Sequence, residues 1–308
     1  MTVEAFMEAS NAYYYATRDP LGIEGDFTTA PEISQMFGEL VGAALADCWR
    51  RAGSPDDAIF VELGPGRGTL AADALRMMRS AGFRGEVHLV DTSPVLRDRQ
   101  RTVVPDALWH ERIDDLPARP LLLVANEFLD ALPVRQHVGG IDRRVVIAGG
   151  GLAFDRDGEI VETSPLRDEA VGSIATCVAL KGGAALLIDY GHERSAPGDT
   201  LQAVKRHGFA SILSAPGEQD MTAHVDFEAV SVAARNAGAE TTPLVTQGEW
   251  LIRLGIEARA QSLSRANPDR SEDIQASLDR LTSRDQMGTL FKVIGVHSRN
   301  WPAPAGFQ

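Results

Sequence analysis

The residues with the types and spacing to do chemistry gather around one glycine-rich turn and the acids that follow it. The turn is Val61-Glu-Leu-Gly-Pro-Gly-Arg-Gly68. Gly64, Gly66 and Gly68 carry no Cβ, so the backbone can bend tightly and lie directly against a ligand. A dinucleotide loop would place its third glycine at position 69, which is Thr69, and no lysine follows for a nucleoside-triphosphate loop. Pyrophosphate cradling is therefore disfavoured. Asp91 follows roughly 20 residues later, where an acid can accept hydrogen bonds from both hydroxyls of a ribose. Glu127 and Asp130 lie just past an apolar run at 121–126, and ligands of open α/β sheets bind at the carboxyl ends of strands. Glu127 also suits a helix N-terminus, which favours acids. His224 and Asp226, in Thr222-Ala-His-Val-Asp-Phe227, have the types of a general base and its orienting acid, although a structural histidine fits equally. No group of His, Cys and acids has metal-ligand spacing, so no metal is expected.

The elements that must position these residues are legible in the hydrophobic pattern. Apolar runs at 58–63, 87–91, 121–126 and 184–189 are short and almost unbroken, as in parallel strands buried on both faces. Between the first two, Thr69-Leu-Ala-Ala-Asp-Ala-Leu-Arg-Met-Met-Arg79 has helical spacing, with Gly82 after its end. Strand, turn, helix, strand and acid thus occur in order, which a bare glycine turn with a capping acid would not require. Residues 134–160 contain Gly139-Gly140, Gly149-Gly-Gly151 and Asp157-Gly158 and read as β-hairpins. Residues 247–288 read as polar helices able to form a lid or a dimer surface, 289–296 as a last strand, and 301–306 as a loose tail. The 308 residues, 24% charged with 30 basic and 43 acidic side chains, suit one globular domain. A net charge of −13 argues against nucleic-acid binding. Two cysteines preclude a disulfide framework, and no apolar stretch reaches the ~18 residues a membrane span needs. Met1 to Ser10 carries Glu4 and Glu8 and no basic flank, so a soluble cytoplasmic protein is expected.

Glu62-x-Gly64-x-Gly66-x-Gly68 resembles motif I of Rossmann-like S-adenosylmethionine-dependent methyltransferases. The resemblance sharpens along the chain, through Gly25-Asp-Phe-Thr-Thr-Ala-Pro-Glu-Ile-Ser-Gln35, Val87-His-Leu-Val-Asp-Thr-Ser-Pro94, Ala125-Asn-Glu-Phe-Leu-Asp-Ala-Leu-Pro-Val134, Ile188-Asp-Tyr-Gly191, Gly198-Asp-Thr-Leu-Gln-Ala203 and Met287-Gly-Thr-Leu-Phe-Lys-Val293. Over about residues 14–296 the sequence is similar to the MidA-type methyltransferases, whose mitochondrial members are complex I assembly factors that methylate arginine. The resemblance implies a class I methyltransferase fold, α/β with a mostly parallel seven-stranded sheet flanked by helices. Within one domain it implies an N-terminal helical cap (1–50), a βαβ core (56–133), a β-hairpin insertion (134–160) and a helical insertion (247–288). Three positions depart from the family. Tyr13 stands where a glycine precedes a tyrosine pair, Asp91 replaces a glutamate, and Leu129 replaces a phenylalanine.

The same resemblance implies S-adenosyl-L-methionine as cofactor, held by Glu62, Gly64, Pro65, Gly66, Gly68, Asp91 and Thr92. Asn126 contacts substrate or methionine, and Asp114, beside Asp115, lies where adenine is read. Asp26, Phe27, Thr28 and Glu32 cover the pocket or form a structural clasp. Catalytic candidates are Glu127, Asp130 and His224. Two carboxylates suit an arginine acceptor, because guanidinium is protonated and must be clamped and relieved of a proton. The expected partner is a protein, such as a complex I subunit. Methylation of a small metabolite at O or N, or a non-catalytic assembly factor, are the alternatives.

Overall fold

In the computed structural model, residues 1–17, 22, 26 and 28–308 are described. The chain opens with α1 (Val3–Thr17), α2 (Ala30–Ile33) and α3 (Gln35–Arg51). The βαβ core follows as β1 (Ile59–Leu63), α4 (Thr69–Ser80), β2 (Val87–Val90), α5 (Pro94–Val103), β3 (Leu108–His110) and β4 (Leu121–Asn126). Next come β5 (Arg135–Val138), β6 (Ile141–Asp142), β7 (Val145–Ala148), β8 (Gly151–Phe154) and β9 (Ile160–Thr163). The sheet resumes through α6 (Pro165–Lys181) and β10 (Gly183–His192), and β11 (Gln202–Lys205), β12 (Gly208–Ala210) and β13 (Asp220–Thr222) form a side sheet. The chain continues through β14 (Val225–Asp226), α7 (Phe227–Asn236), β15 (Glu240–Thr241) and β16 (Val245–Thr246). Helices α8 (Gln247–Arg253), α9 (Ile256–Ala266), α10 (Ser271–Thr282) and α11 (Met287–Leu290) lead to β17 (Phe291–His297).

The central sheet runs β15-β17-β10-β4-β1-β2-β3, the expected seven strands, with β14 added beside β10 and β16 beside β17. β3, β2, β1, β4 and β10 are parallel neighbours, and β17 returns antiparallel to β10. Successive side chains of a strand face opposite ways, and both faces here are covered. Phe60, Leu122, Val124, Leu186 and Val293 pack with α3 and α4, whereas Val61, Leu123, Leu187 and Ile294 pack with α6 and α7. That double burial is why the strands read as unbroken apolar runs.

Packing gives some segments a different role from the one their composition suggests. α3 lies in the residues expected as a cap, yet Phe37, Val41 and Leu45 belong to the main core. It approaches α4 so closely that a Cβ on Gly42 would sit 2.3 Å from the Ala74 carbonyl oxygen. The 247–288 helices place Trp250, Leu251, Ile256 and Leu281 in that same core, so they form a layer of the fold. The 301–306 stretch is docked rather than loose. Trp250 Nε1 donates to the Ala305 carbonyl at 3.1 Å, and Phe307 beyond it is buried. The β11–β13 sheet, unforeseen in sequence, packs on α1 through Met7, Ala203 and Met221. Among the described residues no helix is long and apolar enough to cross a membrane.

Candidate functional site

The glycine turn connects β1 to α4 at the carboxyl end of the sheet. Gly64, Gly66 and Gly68 have φ of +61°, +52° and +86°, a region that side-chain-bearing residues avoid. A Cβ on Gly64 would lie 3.1 Å from the Phe128 ring, a tight contact that adds to the preference for glycine. A cavity of about 700 Å³ opens over this turn. Its walls include the turn itself, Asp91 and Thr92 after β2, Asn126 to Phe128 at the end of β4, and Asn11 and Tyr15 from α1.

Two acids, one buried and one half-buried, mark its inner wall. Glu62, in β1, is 3% exposed, and its Oε2 has no hydrogen-bond partner. Burial pushes its carboxyl well above the usual range, the Ala71 N–H partly offsets this, and nearby Asp91 adds to the rise. Asp91 accepts from the Ser93 N–H at 2.8 Å and from the Gln100 amide at 2.6 Å. Burial raises its carboxyl too, and those two bonds pull it back. Gln100, fully buried, ties the site together. Its amide group also donates to the Gly66 carbonyl at 2.8 Å, and its oxygen accepts from Trp109 Nε1 at 2.8 Å.

The β4 end supplies a second acidic region. Glu127 sits at φ +50°, an uncommon conformation for a non-glycine residue and one that recurs at functional sites. Its Oε1 accepts from the Ala30 N–H at 3.2 Å and from Asn126 Nδ2 at 3.1 Å. Burial and the neighbouring Asp130 push the Glu127 carboxyl to about 8. Asp220 is pushed to about 7 by burial and accepts from the Tyr15 hydroxyl at 2.7 Å. Asp130 and Asp189 are buried and raised as well, chiefly by loss of water. The loop carrying Glu127 and Asp130 is fixed by buried Arg167, whose guanidinium donates to the carbonyls of Leu129, Asp130, Ala223 and His224. Asp189 Oδ2 accepts from the Leu129 and Asp130 N–H groups at 3.0 and 3.1 Å.

The structure therefore brings Glu62, Gly64, Pro65, Gly66, Asp91, Thr92, Asn126, Glu127 and Glu32 to one cavity wall. Other candidates lie elsewhere. Gly68 starts α4 beneath the turn. The Asp114 side chain is exposed beside Arg112, while Ile113 lines the cavity. Asp130 lies behind Glu127 and does not reach the lining. His224 is half-buried edge-on against Tyr190, outside the cavity, and Asp226 caps α7 instead of orienting it. Thr28 precedes the wall that Thr29 joins. Asp26 accepts from the Tyr14 hydroxyl at 2.6 Å and the Arg206 N–H at 2.7 Å, clasping α1 to the β11–β12 turn. Phe27 falls outside the described residues. Leu129 is buried in the core, so the aromatic wall is its neighbour Phe128. Gln100 and Arg167 went unnoticed because a lone amide or guanidinium on a helix carries no motif. Among the described residues, no group of three or more potential ligands could hold a metal ion.

The unpartnered Glu62 oxygen needs a cationic or N–H donor, and the doubly bonded Asp91 carboxylate retains lone pairs for hydroxyls. The glycine turn lets an apolar or aromatic body lie against the backbone. These features fit the ammonium, ribose and sulfonium parts of S-adenosylmethionine.

Comparisons with known proteins agree. Residues 40–150 and 142–245 match the Methyltransf_28 family model, described as "Putative S-adenosyl-L-methionine-dependent methyltransferase". The chain is 37% identical to the Drosophila melanogaster protein arginine methyltransferase NDUFAF7 homolog, mitochondrial, covering 92% of this chain and 78% of that one. It is 31% identical to protein arginine methyltransferase NDUFAF7, mitochondrial, of Homo sapiens, over 90% and 75% of the two chains. A crystal structure of a COG1565 superfamily member from Burkholderia thailandensis bound to S-adenosyl-homocysteine superposes with a TM-score of 0.86 at 28% identity. That match covers 98% of this chain and 88% of the other. The expectation of a cytoplasmic location is overturned, because these curated relatives are mitochondrial by name. Few cysteines and few apolar runs report redox chemistry and hydropathy; neither is an address.

Proposed function

The chain belongs to the S-adenosyl-L-methionine-dependent methyltransferase family Methyltransf_28, and we propose that its methyl acceptor is an arginine side chain of a protein, such as a respiratory complex I subunit. The arginine methyltransferase names of its relatives support this reading. The observation that carries it is the half-buried Glu127 carboxyl, raised to about 8 at the cavity wall with Asp130 behind it. Buried carboxyls that cannot all ionise together hold protons until a cation arrives. A guanidinium is that cation.

When bound, the cofactor supplies an electrophilic methyl group on a sulfonium centre. Glu62 would hold its ammonium group, Asp91 its ribose hydroxyls, and the 64–68 turn its body. Ionised Glu127 engages the guanidinium plane and takes the proton that the nitrogen must shed, a task suited to a carboxyl of unusually high proton affinity. The Ala30 N–H and the Asn126 amide hold Glu127 in place, which turns the encounter into one of fixed orientation.

The test is incubation with methyl-labelled cofactor and either a mitochondrial protein extract or a metabolite pool. Label in protein, released as methylarginine on hydrolysis, is the expected result. Label only in small molecules overturns the protein acceptor, and cofactor binding with no transfer overturns catalysis.

A further inference from the structure

Asn126 is the last residue of β4 and is 7% exposed. Its Nδ2 donates to Glu127 Oε1, which fixes the orientation of the amide. With Glu127 ionised, as it is when a cation is bound, the reversed amide would set its oxygen against the carboxylate, two acceptors face to face. Oδ1 is therefore an acceptor, and it is buried without a hydrogen-bond partner in a residue that lines the cavity. Buried amide oxygens are almost always paired, so an unpaired one on a residue of the cavity wall calls for a donor from a ligand.

Resting on the arginine reading above, we propose that Asn126 Oδ1 receives an N–H of the acceptor's guanidinium while Glu127 receives a neighbouring one. The two adjacent acceptors then select a planar nitrogen group bearing more than one donor. Glu127 Oε1 already holds two donors, and among the described residues its Oε2 has no hydrogen bond. One neutral and one charged acceptor thus stand side by side, matching the fork of a guanidinium. Phe128, the next residue and also part of the wall, gives that plane an aromatic surface to stack on. The cofactor's ammonium has its own orphan, the buried Glu62 Oε2 in the strand that leads into the glycine turn. The neutral oxygen tied to Glu127 belongs with the acceptor.

The experiment compares wild type, Asn126→Ala and Asn126→Asp. It measures methylarginine formation in the same protein extract, S-adenosylhomocysteine affinity by calorimetry, and thermal melting. Asn126→Ala should lose about 10- to 100-fold in kcat/KM for arginine, the effect of one hydrogen bond to a charged donor. Its affinity for S-adenosylhomocysteine should stay within threefold. Asn126→Asp keeps an acceptor oxygen, so it should turn over faster than Asn126→Ala while melting lower, because its carboxylate crowds Glu127. Unchanged turnover in Asn126→Ala overturns the proposal and leaves the arginine reading intact. So does cofactor affinity falling in step with turnover, or activity ranked by melting temperature alone. A wild-type protein that labels no arginine defeats the reading itself, and the proposal with it.

Discussion

Glu127→Gln separates what burial costs this side chain from what the side chain does. The amide keeps the shape, and its oxygen can still accept from the Ala30 N–H and from Asn126. Only the ionisable proton is removed. In the wild type, burial and then Asp130 raise the carboxyl from an ordinary 4.5 to about 8. A raised acid binds its proton more tightly in the folded state. Its stabilisation is complete below pH 4.5 and is lost as pH climbs through about 8. The whole shift corresponds to an upper figure of about 5 kcal/mol. Cavity water beside this partly open side chain screens the charge and reduces that to roughly 2–3 kcal/mol. Urea unfolding of the ligand-free proteins at pH 5 and pH 9 reads it directly. The two proteins should be nearly equal at pH 5, with the variant more stable by that amount at pH 9. A variant no more stable than wild type at pH 9 would refute the claim that a costly carboxylate is kept at this position.

Asp91→Ala removes both acceptors for a ribose and strands the Gln100 amide. Cofactor affinity measured by calorimetry should fall about 100-fold or more, since hydrogen bonds to a charged group are worth about 1.5–3 kcal/mol each. Arg167→Leu leaves the buried carbonyls of Leu129, Asp130, Ala223 and His224 without their donor. Chemical denaturation should show a loss of about 3–5 kcal/mol, the usual cost of removing one member of a buried charged network. For arginine methylation, kcat/KM follows the free enzyme's ionisations. It should rise with pH and level off near 8, the value of Glu127. A flat profile from pH 6 to 9 would count against Glu127 as the proton acceptor.

Much of this architecture is visible in sequence because burial writes itself into hydropathy. The runs at β1, β4 and β10 are almost unbroken in apolar residues, since helices cover both faces, and Gly64, Gly66 and Gly68 mark a turn that favours glycine. Asp91 and Glu127 stand out in sequence because they directly follow β2 and β4. The misread segments obey tertiary contacts that no local pattern records. α3 looks like part of a peripheral cap until Gly42 is seen against Ala74. The 301–306 stretch looks loose until Trp250 bonds to Ala305. His224 has the type of a base, but its backbone carbonyl, bonded to Arg167, is what the fold uses. Tyr13 to Tyr15, three adjacent aromatics in sequence, are placed in three different settings. Tyr13 is exposed, Tyr14 clasps Asp26, and Tyr15 reaches Asp220 at the cavity.

On the proposed reading, Glu127 beside the cofactor site serves the acceptor arginine and not the cofactor. Parallel calorimetry and single-turnover labelling of Glu127→Gln separate the two. S-adenosylmethionine affinity should stay within a few-fold of wild type while methylarginine formation falls by about 100-fold or more. Undiminished methylarginine formation, or affinity and transfer lost together, would contradict it.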